Sequence, residues 1–197
     1  MSVGAAAAAR PPFPVLVVCT GNICRSPAAE LLLRAGLGGD DGVVVSSAGL
    51  GALAGEPVAA PMSGMLAARG VGTAGFTARQ LQPPAIRSAG LVLTMTAAQR
   101  SAVVSRLPAA VRRTFTLREV ADLARLAGNL PGTPADRLAA LVAQAPRLRA
   151  LRTGPRDDDI EDPYGRPDEV FARVLDRIDG AVAELLGALV PRSARTA

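Results

Sequence analysis

At 197 residues, with 49% apolar and 20% charged residues, the chain has room for one domain whose core needs no covalent staples. Two cysteines, no histidine and 22 basic residues that are all arginine exclude a disulfide framework, structural zinc sites of cysteine and histidine, histidine general bases and lysine chemistry. The net charge of +5 is spread over scattered arginines with only 3% aromatic residues, which argues against a nucleic-acid partner, and no apolar run approaches the roughly 18 residues of a membrane span.

Residues 1–12 carry an alanine run and two prolines and are expected to form a disordered tail. The five apolar residues 15–19 that follow are too few for a signal-peptide core, which points to a cytoplasmic protein with no membrane partner. The run Val15-Leu16-Val17-Val18 is short, unbroken and mostly β-branched, the pattern of a parallel strand buried on both faces. A helix should follow it, with Ser26 as N-cap, Pro27 in the first helical position and Gly36 as the stop. The alternation then repeats: strand 43–46, helix 59–69 closed by Gly70, strand 91–95, helix 97–106 stopped near Pro108, and strand 113–116. Such alternation predicts an α/β fold, a four-stranded parallel sheet with helices on both faces.

Residues 120–156 or so, rich in Ala, Leu and Arg, predict one or two helices around Pro131, Pro134 and Pro146. We read them as a helical elaboration of a single domain spanning 13–190. Over 168–190 the residues Val170, Phe171, Val174, Leu175, Ile178, Ala181, Val182, Leu185, Leu186 and Leu189 keep a 3.6-residue period, with acids in the first turn. A short tail, 191–197, closes the chain.

The segment Cys19-Thr20-Gly21-Asn22-Ile23-Cys24-Arg25-Ser26-Pro27 lies between the first strand and the first helix. That junction is the carboxyl end of a parallel strand, where ligands bind and helix N–H groups face an anion. Gly21 lets the backbone turn closely, Arg25 can grip two phosphate oxygens in a fork, and the helix dipole with Arg25 favours Cys19 as a thiolate. A thiolate under a bound phosphate is a nucleophile in line with phosphorus.

With this loop the sequence resembles the low-molecular-weight protein tyrosine phosphatases, whose loop reads C-x5-R-S followed by Pro. The likeness continues through Ser46-Ser47-Ala48-Gly49, Ala78-Arg79-Gln80-Leu81, the strand ending at Met95, and Asp162-Pro163-Tyr164. It implies a single domain in flavodoxin-like strand order 2-1-3-4 and a protein-tyrosine-phosphate phosphohydrolase that needs neither metal nor cofactor. In it Cys19 would attack phosphorus to form a phosphocysteine and Arg25 would stabilise the transferring group. Asp162 would protonate the leaving oxygen and then activate water. Residues 20–26 would line the phosphate loop, with Asn22 and Ser47 holding its shape and Ser26 steadying the thiolate. Cys24 would pair with an oxidised Cys19. Leu53 and Tyr164 would wall the substrate slot, and inorganic phosphate or vanadate would bind as ligands.

Chemistry asks independently for the acid, since a leaving phenolate needs a proton and there is no histidine to give one. Asp162 ends a run of five acids in six residues, Asp157-Asp158-Asp159-Ile160-Glu161-Asp162. The other four read as a solvated acidic loop, and a carboxyl among carboxylates holds its proton more readily.

The chain departs from the family pattern at four points. A second tyrosine after the acid is missing, Leu53 stands where several members have an aromatic residue, Thr96 replaces an Asp, and Gly90 replaces another. Gly49-Leu50-Gly51-Ala52-Leu53-Ala54 imitates the dinucleotide fingerprint G-x-G-x-x-A, but Glu56-Pro57 follows at once, so a loop is expected instead. Two alternative activities fit the same loop. One is arsenate reduction coupled to a small thiol, because no cysteine follows Cys24 to serve a longer relay. The other is protein arginine phosphatase activity, where the related branch carries Thr at the position of Ile23.

Overall fold

The computed structural model describes residues 10–153 and 157–190. Strands β1 (Phe13–Cys19), β2 (Val43–Gly49), β3 (Leu91–Thr94) and β4 (Thr114–Thr116) form one parallel sheet in the order β2-β1-β3-β4. Helices α1 (Arg25–Leu37), α2 (Ala60–Ala67), α3 (Pro83–Ser88), α4 (Ala97–Arg106), α5 (Leu117–Ala127), α6 (Pro134–Leu151) and α7 (Asp168–Leu189) cover both faces, as the alternation implied.

The alternation of side chains along β1 divides the core in two. Val15, Val17 and Cys19 enter the larger core, shared with α1, α2, α5, α6 and α7. Leu16 and Val18 enter a smaller one with Ile86 of α3, Val103 of α4 and Ala110. Register sets Cys19 beside Gly49 of β2 and Val18 beside Thr94 of β3, so the central strand ends at the middle of the sheet's carboxyl edge.

Several element ends differ from expectation, each for a physical reason. The first helix starts at Arg25 with Cys24 as its N-cap, and Ser26 caps nothing because its hydroxyl is bonded to other side chains. Gly36 does not stop α1. It lies inside the helix, where a Cβ would collide with the Leu186 side chain of α7, and the stop is Gly38 at φ 61°. Helix α2 ends at Ala67 rather than 69, and Arg113 belongs to a 3-10 turn, Pro108–Arg113, that precedes β4. The six-residue α3 was not expected at all. The elaboration resolves into α5, which leaves β4 directly with Thr116 as N-cap, and α6, opened by a capping box of Thr133 and Asp136 and carrying Pro146 inside it. Gly49 ends β2, and the segment 50–54 after it is a loop, not the helix a dinucleotide fingerprint opens. Of the two expected tails, residues 1–9 and 191–197 lie outside the described residues, and Arg10 donates to Asp136 at 2.5 Å.

Candidate active site

The loop between β1 and α1 is held from outside by its carbonyls. Leu50 N donates to Cys19 O at 2.9 Å, Gly51 N to Thr20 O at 3.1 Å, Leu53 N to Gly21 O at 3.0 Å and Ala59 N to Ile23 O at 2.8 Å. With the carbonyls turned toward the 50–59 segment, Asn22 N donates to Cys19 Sγ at 3.3 Å. A loop amide aimed at this point, just before a helix N-terminus, is an arrangement that can hold an anion. Gly49 must be glycine here, because a Cβ would strike Thr20 O.

A buried chain of side chains fixes that shape. Cys19 Sγ and Ser26 Oγ are 2.9 Å apart. Asn22, in the left-handed region at φ 56°, donates through Nδ2 to Ser26 Oγ at 2.9 Å and to Ser47 Oγ at 2.8 Å, and its Oδ1 accepts from Arg79 N at 2.7 Å. Ser47 Oγ in turn donates to Glu30 Oε2 at 2.6 Å, and Glu30 is paired with Arg79 and Arg34. The residues expected to shape the loop, Asn22, Ser26 and Ser47, are therefore in direct contact, and donors converge on the cysteine sulfur.

Arg25 leaves α1 with its side chain only 4% exposed. Its Nη1 donates to Ile160 O at 3.2 Å and its Nη2 to Asp162 Oδ2, while Nε has no protein partner among the described residues. Asp162, about half exposed, accepts from Tyr164 N at 3.2 Å on its other oxygen. Cys19, residues 20–25, Gly51, Leu53, Asp162 and Tyr164 line one cavity of about 190 Å³. Leu53 and Tyr164, both exposed, stand in that lining. Cys24 lies in it too, buried, and burial pushes its thiol up to about 12, with the charges of Cys19 and Asp162 adding and Arg25 opposing.

The rest of the acidic run lies in irregular chain with Asp157, Asp159 and Glu161 exposed, as a solvated loop requires, and each of its four members is also bonded, three of them to arginines. Asp157 pairs with Arg118 and Arg177, and Arg118 first, then Arg177, holds its carboxyl below the usual range. Asp158 pairs with Arg152, Glu161 with Arg173, and Asp159 Oδ1 accepts Ala97 N at 2.7 Å. The arginines cancel the crowding of like charge that the sequence suggested, leaving Asp162 facing Arg25.

Residues outside the expected set also build the site. Glu30 terminates the polar chain, Arg79 contributes both its amide and its guanidinium, and Gln99 ties Met95 N to Thr20 Oγ1. Glu30 carried a signal: it stands four residues after Ser26 on the buried face of α1, an acid among alanines and leucines. Two departures from the family pattern find local reasons. Thr96 caps α4 by accepting Gln99 N at 3.1 Å, and a Cβ at Gly90 would lie 2.7 Å from the Phe13 ring. The residue after Tyr164, Gly165, turns the chain at φ 70°.

Comparison with known proteins agrees with this geometry. The chain is 42% identical over 106 residues to the probable low molecular weight protein-tyrosine-phosphatase EpsP of Ralstonia nicotianae, covering 54% of this chain and 71% of that protein. It is 32% identical over 175 residues to a protein-arginine-phosphatase of Geobacillus stearothermophilus, covering 88% and 94% of the two chains. The fold superposes on the tyrosine phosphatase amsI of Erwinia amylovora with a TM-score of 0.67 at 25% identity, over 90% of this chain and 93% of that one. The model of the low molecular weight phosphotyrosine protein phosphatases matches residues 14–131, and the chain belongs to that family.

Proposed function

We propose that this enzyme hydrolyses phosphotyrosine on proteins through a phosphocysteine. The observation that carries the reading is the donor-lined loop closing on Cys19 Sγ, with Arg25 buried beneath the cavity and Asp162 across it. Cys19 attacks phosphorus as a thiolate, so an S–P bond forms as the bond to the leaving oxygen breaks. The loop amides and the Arg25 fork hold the non-bridging oxygens as charge shifts among them. Asp162 gives its proton to the leaving phenolate, and the resulting carboxylate then takes a proton from the water that attacks the phosphocysteine. Phosphate leaves and the thiolate is restored.

The substrate class follows from the walls. Leu53 and Tyr164 offer apolar faces to an aromatic ring, and Ile23 adds an apolar side chain in the loop where a guanidinium would be better met by a hydroxyl. A second reading is hydrolysis of phosphoarginine, favoured by the near full-length likeness to a protein-arginine-phosphatase and by a half-exposed Asp162 that can pair with a guanidinium. The nucleophile must stay reduced, and both cysteines are free thiols, which supports work in the cytoplasm. Among the described residues no helix is long and apolar enough to cross a membrane. Steady-state turnover of a phosphotyrosine peptide, phosphoarginine, and arsenate with glutathione tests these readings together. Preference for the peptide is expected; preference for either of the others overturns the proposal.

A further inference from the structure

Three of the four acids leading to Asp162 are paired with arginines, and one pair stands apart. The side chain of Arg152, at the C-terminus of α6, is 9% exposed and that of its partner Asp158 is 19% exposed, whereas the acids of the other two pairs, Asp157 and Glu161, are 67% and 43% exposed. The contact is a two-pronged fork: Nη1 to Asp158 Oδ2 at 3.0 Å and Nη2 to Oδ1 at 2.5 Å. The same guanidinium holds Asp122 Oδ2 of α5 through Nε at 3.2 Å and Nη2 at 2.8 Å. Arg152 thus fastens the acid-bearing segment to α5, a helix seated in the larger core.

From this geometry we infer that Arg152 is a positioning residue for the acid, acting through Asp158; the inference rests on Asp162 being the proton donor. Three residues separate Asp158 from Asp162. Between them Ile160 is anchored by its amide to Met95 O at 2.8 Å and by its carbonyl to Arg25. The other holds on the segment, Asp159 Oδ1 to Ala97 N and the arginine pairs of Asp157 and Glu161, are at exposed side chains. The mostly buried Arg152–Asp158 fork is the firmest second point beside Ile160, and it sets the direction in which the chain runs toward Asp162. Exposed ion pairs contribute little to such a hold, but removing one partner of a mostly buried, bidentate pair leaves a charge that must move to find water. An unpaired Asp158 can do that only by drawing the segment outward, which takes Asp162 off the line to the leaving oxygen. The elaboration that contains α6 therefore has a place in the reaction.

The test is kcat/KM, which follows the step that expels the leaving group, on aryl phosphates graded from p-nitrophenyl to phenyl phosphate. Arg152→Gln and Asp158→Asn are compared with wild type and Asp162→Asn. Both clamp variants are expected to lose about tenfold on phenyl phosphate and no more than about twofold on p-nitrophenyl phosphate, with affinity for inorganic phosphate not weakened. Arg152→Lys should recover part of the loss, and the double variant should lose no more than Arg152→Gln alone. A loss uniform across the series, or a slope equal to wild type, overturns the inference. Asp158→Asn is isosteric and decides the matter if Arg152→Gln does not fold. Asp162→Asn separates the two readings. A steeper slope there with unchanged slopes at Arg152 and Asp158 removes the clamp alone. No steepening at Asp162 removes the acid assignment, and the clamp with it.

Discussion

Arg25 and Asp162, 137 residues apart, hold each other through Nη2 and Oδ2, and both line one cavity. On the proposed reading a phosphate dianion in the cavity and the Asp162 carboxylate compete for one guanidinium, so binding of the one loosens the hold of the other on Arg25.

Asp162→Asn should accordingly have two opposite effects. Inorganic phosphate or vanadate should bind a few-fold more tightly, since a competing charge is gone, while turnover of phosphotyrosine should fall on the order of a hundredfold or more for want of the proton. With p-nitrophenyl phosphate, whose leaving group scarcely needs protonation, the loss should be smaller. Glu161→Gln, which removes an exposed pair with Arg173, should be near neutral. Titration calorimetry and turnover against leaving-group pKa check both, and weaker phosphate binding by Asp162→Asn would count against the competition.

Cys19→Ser is expected to fold and to bind phosphate or vanadate while losing nearly all hydrolysis, because the S–P bond cannot form and a serine hydroxyl is a poor nucleophile without a base. Substantial turnover by this variant would falsify the phosphocysteine route.

Cys24, whose thiol is raised from its ordinary 9.0 to about 12, should remain a neutral thiol near pH 8, so iodoacetamide should label Cys19 alone, as intact-mass spectrometry would report. The folded protein keeps a proton on Cys24 that the unfolded chain releases. The stability this represents is fully present below pH 9 and is lost as pH rises from there through about 12. The alkaline decline of Tm should be shallower in Cys24→Ala than in wild type. If Cys24 also closes a disulfide onto oxidised Cys19, dithiothreitol should restore peroxide-treated wild type more fully than Cys24→Ser.

Asn22→Ala removes three side-chain hydrogen bonds and places alanine at φ 56°, a combined cost of about 3 kcal/mol by urea denaturation, with a matching fall in kcat as the loop loosens. Asn22→Gly relieves the backbone but restores no bond, so it should recover only the strain, about 1 kcal/mol. Full recovery by glycine would mean that the polar chain to Glu30 contributes little.

What could be read from sequence divides by the distance over which each feature is decided. The Val15-to-Val18 run and the 3.6-residue period of α7 report burial directly, and the loop from Cys19 to Ser26 carries its chemistry within eight residues. Ser26 does not cap its helix, because its hydroxyl answers to Cys19 and Asn22 across the loop. Helix α3 begins with two prolines and is too short for any period to show. The ion pairs of the acidic run have no local sign, because Arg118 comes from α5, Arg152 from the C-cap of α6, and Arg173 and Arg177 from α7.

The two walls of the cavity are attached to different parts of the machinery. Leu53 N is bonded to Gly21 O, so that wall is continuous with the loop at Cys19, while Tyr164 N is bonded to Asp162 Oδ1, so the other wall is tied to that carboxylate. The width of the slot is therefore set between two distant stretches of chain, and on the proposed reading a change in either stretch alters which ring fits without touching Cys19.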